Sequence, residues 1–418
     1  MKKKLISLAV AGVLLAQVPL HAGEQPAAPM IPPLFQTLVS AAQELRGLAD
    51  KQDNVAQSLA RYSGFQFSPG VRAQLKEVFG SEHPLDVKRV PAAKGLVGYA
   101  IALPEHVYLD KNGMAYTWSA LAGKVSTNKA GTLLNTDIRW PALSAVGGSG
   151  GFAFQDMRID SQHQRGAEGL WYGVTSASLG VLSVRATPPG SNEAREQVRL
   201  EGLDFKGSAQ RKGALISSSM DSTIKAMVGA NGERIERIHV GLRLEDIPAQ
   251  QMADFDQRIR NVQASGLAAD AQQEVIRRTL MDFSKSAVKS GASLVIDDIS
   301  GAYHGNTASL KGRLSFDHVV DADFENGAAV VKKMALHLDL RVPVALVQDV
   351  LHKLAPNDKD AAKNVVTKLT GDGFAVQEQN DLHAVIDVRN GKLTFNGKVV
   401  PIPGMQNGSV EDLHIQVH

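Results

Sequence analysis

The sequence predicts an α+β fold, predominantly antiparallel β, with a duplicated strand meander and amphipathic helix pairs packed on the sheet. Three observations predict it. Apolar residues recur with period two along several runs, the mark of strands with one buried and one wet face. Asn-Gly and similar turn pairs separate the runs. A strand ending in proline and leading into two helices occurs twice.

The strands come first. Thr132, Leu134, Thr136, Ile138 and Trp140 alternate with Gly131, Leu133, Asn135, Asp137 and Arg139. The same alternation places Val240, Leu242 and Leu244 on one face, then Met334, Leu336, Leu338, Leu340 and Val342, then Leu382, Ala384, Ile386 and Val388, then Leu413, Ile415 and Val417. The 334–342 run predicts the best-determined core strand, its apolar set on one side meeting the helix that carries Leu346, Val350 and Leu354. Lys111-Asn112-Gly113, Asn231-Gly232, Asn326-Gly327 and Asn390-Gly391 predict turns.

The repeat follows. One meander ends at Pro248, where a helix burying Met252, Phe255, Ile259 and Val262 begins; after Ser265-Gly266 a second covers 268–289. The other ends at Pro343 and starts a helix that buries Leu346, Val347, Val350, Leu351 and Leu354. After Pro356-Asn357 its partner buries Val365, Val366 and Leu369 and stops at Gly371. Proline is tolerated at the first helical position, where both are predicted.

Towards the N-terminus, Leu34, Leu38, Ala41, Leu45, Leu48, Val55 and Leu59 form one stripe, with Gln52 the polar break. It predicts a helix packed on its own domain, with a coiled-coil seam as the alternative. A shorter helix from Pro69 to Phe79 should end at Gly80.

The chain opens with Lys2, Lys3 and Lys4, then an apolar run from Leu5 to Val18. That run is short of the ~20 residues of a spanning helix and predicts a signal peptide cleaved after Ala22. The expected organisation is a signal peptide at 1–22, a leader and helices at 23–80, and a β-rich part at 81–199. The first meander and helix pair take 200–290, the second 291–371, and closing strands 372–418. The expected location is the periplasm, with an inner-membrane anchor facing the periplasm as the alternative.

Composition narrows the function. Cysteine is absent, which removes disulfides, thiol nucleophiles and cysteine-ligated metals. The net charge of +2 falls further when three lysines leave with the leader, so no field for nucleic acid exists. Aromatics at 5% are thin for stacking on sugars or bases.

Gly147-Gly148-Ser149-Gly150-Gly151 satisfies the hydrolase G-x-S-x-G pattern. That motif requires a strand-to-helix turn, and the following Phe152–Ile159 run reads as strand, so a loop is predicted. Ser-x-x-Lys at Ser126/Lys129, Ser222/Lys225 and Ser286/Lys289 lacks every companion motif. The segment 321–327 misses the calcium-loop glycine at Asn326 and the glutamate at Lys332, and is predicted to be a hairpin turn. His414 and His418 share a strand face but lie ~13 Å apart, too far to chelate one ion. His337 and Asp339 share another polar face and are expected to be solvated. No phosphate loop or dinucleotide fingerprint is present. No catalytic, cofactor or metal residues are therefore assigned.

Gly373-Phe374 leads into the 381–389 strand and then Asn390-Gly391-Lys392-Leu393-Thr394-Phe395-Asn396-Gly397-Lys398. This segment resembles the closing strand pair of the YdgA-like family, bacterial envelope proteins classed as a domain of unknown function. Phe79-Gly80-Ser81-Glu82-His83-Pro84-Leu85 is similar to its opening segment, and the strand-Pro-helix units to its repeating body. The resemblance covers most of 60–400 and implies a fold and an envelope location, with no catalytic motif to carry over. Members usually begin with a membrane anchor, and the short apolar run here departs from that.

The expectation is a non-catalytic envelope protein that binds or scaffolds, its partner an envelope protein or an apolar ligand. Carriage of a lipid or other apolar ligand in a β-sheet groove is the main alternative, and a serine hydrolase using Ser149 the remaining one. A sheet face left bare would favour the groove.

Overall fold

The structure, a computed structural model, describes residues 33–48, 54–148, 150–188, 190–191, 193–265, 267 and 269–400. The leader at 1–22, Gln52, Ser149, Gly266 and the 413–417 strand with His414 and His418 lie outside the described residues. The described chain is mostly antiparallel strand with helices packed against it. It divides into two units, one holding the residues up to Gln164 with Leu182–Arg195, the other Arg165–Val181 and the chain from Glu196.

The first unit begins with helices α1 (Pro33–Leu48), α2 (Val55–Ser63) and α3 (Pro69–Phe79). The single long seam becomes two helices, and Leu38 is exposed. Asn54 and Gln57 form a reciprocal capping box that starts α2 afresh. Ala41 packs with Phe67, Val71 and Leu75 of the α3 region, which favours packing within the domain over a coiled coil. As expected, α3 ends at Gly80, in the left-handed conformation with φ 71°.

Its strands are β1 (Asp86–Val90), β2 (Leu96–Leu103), β3 (His106–Leu109), β4 (Ala115–Trp118), β5 (Leu121–Asn128), β6 (Leu133–Gly147) and β7 (Gly150–Arg165). β1 pairs with β2, β2 with β5, and β5 with the first half of β6, whose second half pairs with β4. β3 joins β4, and β7 pairs with β6. Leu134 and Ile138 are buried, as the alternation predicts. Tyr108, Tyr116, Trp118 and Ala145 form the core with Leu34 and Val78. Burial pushes the Tyr116 hydroxyl up to about 12, and the nearby Asp110 carboxylate adds to this.

Residues of β8 (Trp171–Ala186) belong to both units. The second unit carries β9 (Arg195–Lys212), β10 (Leu215–Gly229), β11 (Arg234–Pro248), α4 (Ala249–Ala264) and α5 (Ala269–Lys289). Then come β12 (Ser293–Tyr303), β13 (Asn306–Phe316), a 3-10 turn (Asp321–Glu325), α6 (Gly327–Lys332) and β14 (Met334–Pro343). α7 (Val344–Leu354), α8 (Ala361–Gly371), β15 (Val376–Glu378), β16 (Asp381–Arg389), β17 (Lys392–Phe395) and β18 (Lys398–Val400) complete it. Antiparallel ladders link β9 through β14 in order, then β14 to β16, β16 to β17 and β17 to β18.

Register sorts these side chains into two faces. One row runs Met220, Leu242, Ile296, Gly312, Leu338, Ile386, Phe395 across seven strands. The row beside it, on the other face, reads Arg243, Val295, Arg313, His337, Asp387, Thr394. The sheet is thus apolar on one side and charged on the other, the pattern of an antiparallel sheet with one solvated face.

Several expectations need correction. Met334, Leu336, Leu338, Leu340 and Val342 keep their common face, but none is fully buried. Ile247, by contrast, is fully buried and packs with Ala287 and Ala292. Pro248 and Pro343 end their strands and precede the helices by one residue. The 321–327 segment is no hairpin: Asn326 caps α6 by accepting from the Ala328 amide. Val365 is exposed, while Val366 and Leu369 pack towards Leu340 and Val344.

Candidate functional site: an apolar groove beside α7

The groove begins with a turn. Tyr303 pairs with Asn306, and His304 and Gly305 between them both have positive φ, 49° and 82°. Such two-residue turns match the right-handed twist of the strands they join. The register then sets Gly301 opposite Ala308 and Ile299 opposite Leu310. A glycine facing an alanine leaves a low point in the sheet surface. A Cβ built on Gly301 would come only to 3.7 Å from Ile235 and 3.8 Å from Ile238, an ordinary contact.

α7 forms the wall. Val344 at its start donates to the Asn380 carbonyl at 2.8 Å. Val344 and Val347 pack with Leu340, Leu382 and Ala384, seating that end of the helix. Leu346, Val350 and Leu354 stand over the low point instead. The prediction that all of this stripe is buried fails here: Val350 is 42% and Leu354 76% exposed. Gly301 has no side chain and Ala308 only a methyl to meet them. The space left is a groove of about 520 Å³ lined by Ile235, Ile299, Leu310, Leu340, Leu346 and Val350. That volume falls within the range of small-molecule sites, roughly 300–1,000 Å³.

The mouth is polar. Lys353 Nζ donates to the Glu233 carboxylate and to the Tyr303 hydroxyl, and lies 4.6 Å from the Tyr303 ring centroid. Those two bonds, Glu233 first, hold the Lys353 ammonium above its ordinary pKa. Glu233 is held below the usual carboxylate range, chiefly by the Lys353 hydrogen bond. A turn earlier, Asp349 pairs with His304 Nδ1 at 3.1 Å. Both contacts tie the solvent side of α7 to β-turns.

On the charged face of the sheet the polar side chains pair with one another. His239 bridges Asp298 at 2.7 Å and Asp221 at 2.9 Å, and Ser300 donates to Asp298 at 2.7 Å. His337 pairs with Asp387 at 2.9 Å and His383 with Asp339 at 3.1 Å. His337 and Asp339 are therefore each engaged by β16. Among the described residues, no group of three or more His, Asp or Glu is placed to hold a metal.

The other sequence motifs stay scattered. Gly147 pairs with Gly150, and β7 continues from there as strand, so the residues around Ser149 join strand to strand. Ser126 accepts from Asn135 on β6. Ser222 and Lys225 lie on β10, where an odd separation points side chains to opposite faces. Lys289 pairs with Asp321.

Sequence reasoning missed Gly301, Ala308, Tyr303, Lys353 and Glu233. The available signal was weak: small residues at the inward positions on both sides of the His304-Gly305 turn.

These features define an α+β protein whose antiparallel sheet leaves an apolar groove with a charged mouth. Residues 60–403 match the sequence model of a family described as a bacterial protein of unknown function, DUF945, and the chain belongs to that family. No curated protein matches the chain. No solved structure matches it either. Among the described residues, no helix is long and apolar enough to cross a membrane.

Proposed function

We propose that this chain is a non-catalytic binding protein of the bacterial envelope that holds an apolar ligand in the groove beside α7. One observation carries the reading. The Gly301–Ala308 pair offers nothing larger than a methyl at the floor, so the apolar stripe of Leu346, Val350 and Leu354 faces open space. A core built for packing alone fills such space to near-crystalline density. Exposed contiguous apolar surface in a soluble domain marks a binding site.

The periplasm is the proposed location. Lys2–Lys4 with the short apolar run supports it, as does the YdgA-like character of the closing strands from Asp381 to Lys398. Within that reading the protein carries or stores a lipid-derived molecule between membranes.

The test is solvent extraction of protein purified from the envelope fraction, followed by mass spectrometry. A molecule bearing an alkyl chain, recovered near one per protein, is expected. Recovery of no apolar molecule from natively purified protein would count against the reading.

A further inference from the structure

We infer that the ligand is a long-chain fatty acid, bound with its carboxylate at Lys353 and Tyr303 and its chain along the floor beside α7. The inference rests on the groove reading above and adds the chemistry of the head. The walls are mainly aliphatic, with Ile235, Ile299, Leu310, Leu340, Leu346 and Val350 beside Ser300 and Ser309. A single groove of about 520 Å³ suits one chain.

The head follows from counting donors. An ammonium has three N–H groups. Lys353 gives one to Glu233 and one to the Tyr303 hydroxyl. The Tyr303 oxygen accepts there and retains its own proton for another acceptor. A third lysine N–H and the tyrosine O–H thus remain at the open end of an apolar channel. Two donors suit the two oxygens of a carboxylate. Glu233 already presents a carboxylate to Lys353 and shares its positive charge with any head that binds there. Asp349 is paired with His304 and is not the counter-charge a cationic head would need.

Displacement of the neutral dye diphenylhexatriene from the full chain separates the possibilities, with competitors kept below micelle concentrations. Palmitate, hexadecanol and hexadecyltrimethylammonium share a chain and differ in the head. At mildly alkaline pH, palmitate is expected to bind at least about tenfold more tightly than hexadecanol, the scale of one charge-assisted hydrogen bond. Lys353→Met keeps the aliphatic stem and should bring palmitate down to the affinity that hexadecanol shows for the same variant. Glu233→Gln removes the competing carboxylate and should tighten palmitate. Equal affinity for all three heads, tighter binding of the ammonium compound, or a palmitate preference that survives Lys353→Met would each overturn the fatty-acid assignment and leave the groove standing. Failure of the dye and all three compounds to bind would overturn the groove as well.

Discussion

Lys353, in the last turn of α7, pairs with Glu233 beside the β10–β11 turn, 120 residues earlier in the chain. That bond and the Asp349–His304 pair hold the outer side of a helix whose inner side stands over open space. Exposed ion pairs contribute only about 0–1 kcal/mol. Lys353→Met should therefore raise amide hydrogen exchange in the last turn of α7 while leaving the global melting temperature almost unchanged. Unaltered exchange there would mean that Val344 and Val347 alone seat the helix.

Gly312 is a second point of close approach. A Cβ at this position would lie 2.5 Å from both the His337 carbonyl oxygen and Leu338 Cδ2. Gly312→Ala should destabilise the second unit by about 1–3 kcal/mol, the usual cost of overpacking, read as a lower urea midpoint. A neutral result would mean that β13 and β14 separate easily.

Leu338 tests how far the apolar face is covered. It faces Ile386 and Gly312 and is only half-buried. A carboxylate there stays partly hydrated, so Leu338→Asp should fold with a loss of about 1–3 kcal/mol. Circular dichroism showing an unfolded chain would indicate a closed core. His337→Asp sets two carboxylates across from each other, because His337 faces Asp387. It should cost about 0.2–1 kcal/mol.

His239 predicts a pH dependence. Hydrogen bonds to Asp221 and then Asp298 raise its pKa above the ordinary 6.5. Burial pushes Asp298 up, but bonds from Ser300 and His239 outweigh this and leave it below 3.8. The raised histidine contributes stability in full below 6.5, lost as pH rises through its folded value. The lowered aspartate contributes above 3.8, lost as pH falls through its folded value. The stability gap between the wild type and His239→Gln should thus be larger near pH ~5.5 than near pH ~8.5. Urea titrations at both values check the sign, and a gap that widens with pH would contradict the assignment.

The sheet was legible because strand patterning is local. Leu134 with Ile138, and Leu382 with Ala384 and Val388, announce their buried face through period two alone. Pro343 announced α7 by its own geometry. How much of α7 is covered was not legible. That depends on what register places across from Gly301, and β12 reaches its register through a bulge at Asp297 and Asp298. The mouth was hidden for the same reason, since Lys353, Tyr303 and Glu233 meet only after β10 to β14 have paired. Asn326-Gly327 misled because Asn serves helix caps as readily as turns.

The proposed groove requires the floor at Gly301 to be open to an apolar ligand. Gly301→Phe tests it directly, because a Cβ there meets no neighbour closer than 3.7 Å and the ring would occupy the groove. The measurement is diphenylhexatriene fluorescence on titration of wild type and variant, with melting curves for both. Saturable binding near one dye per wild-type chain is expected, with a folded Gly301→Phe protein that binds none. Equal binding by wild type and a folded variant would rule out an apolar ligand on this floor.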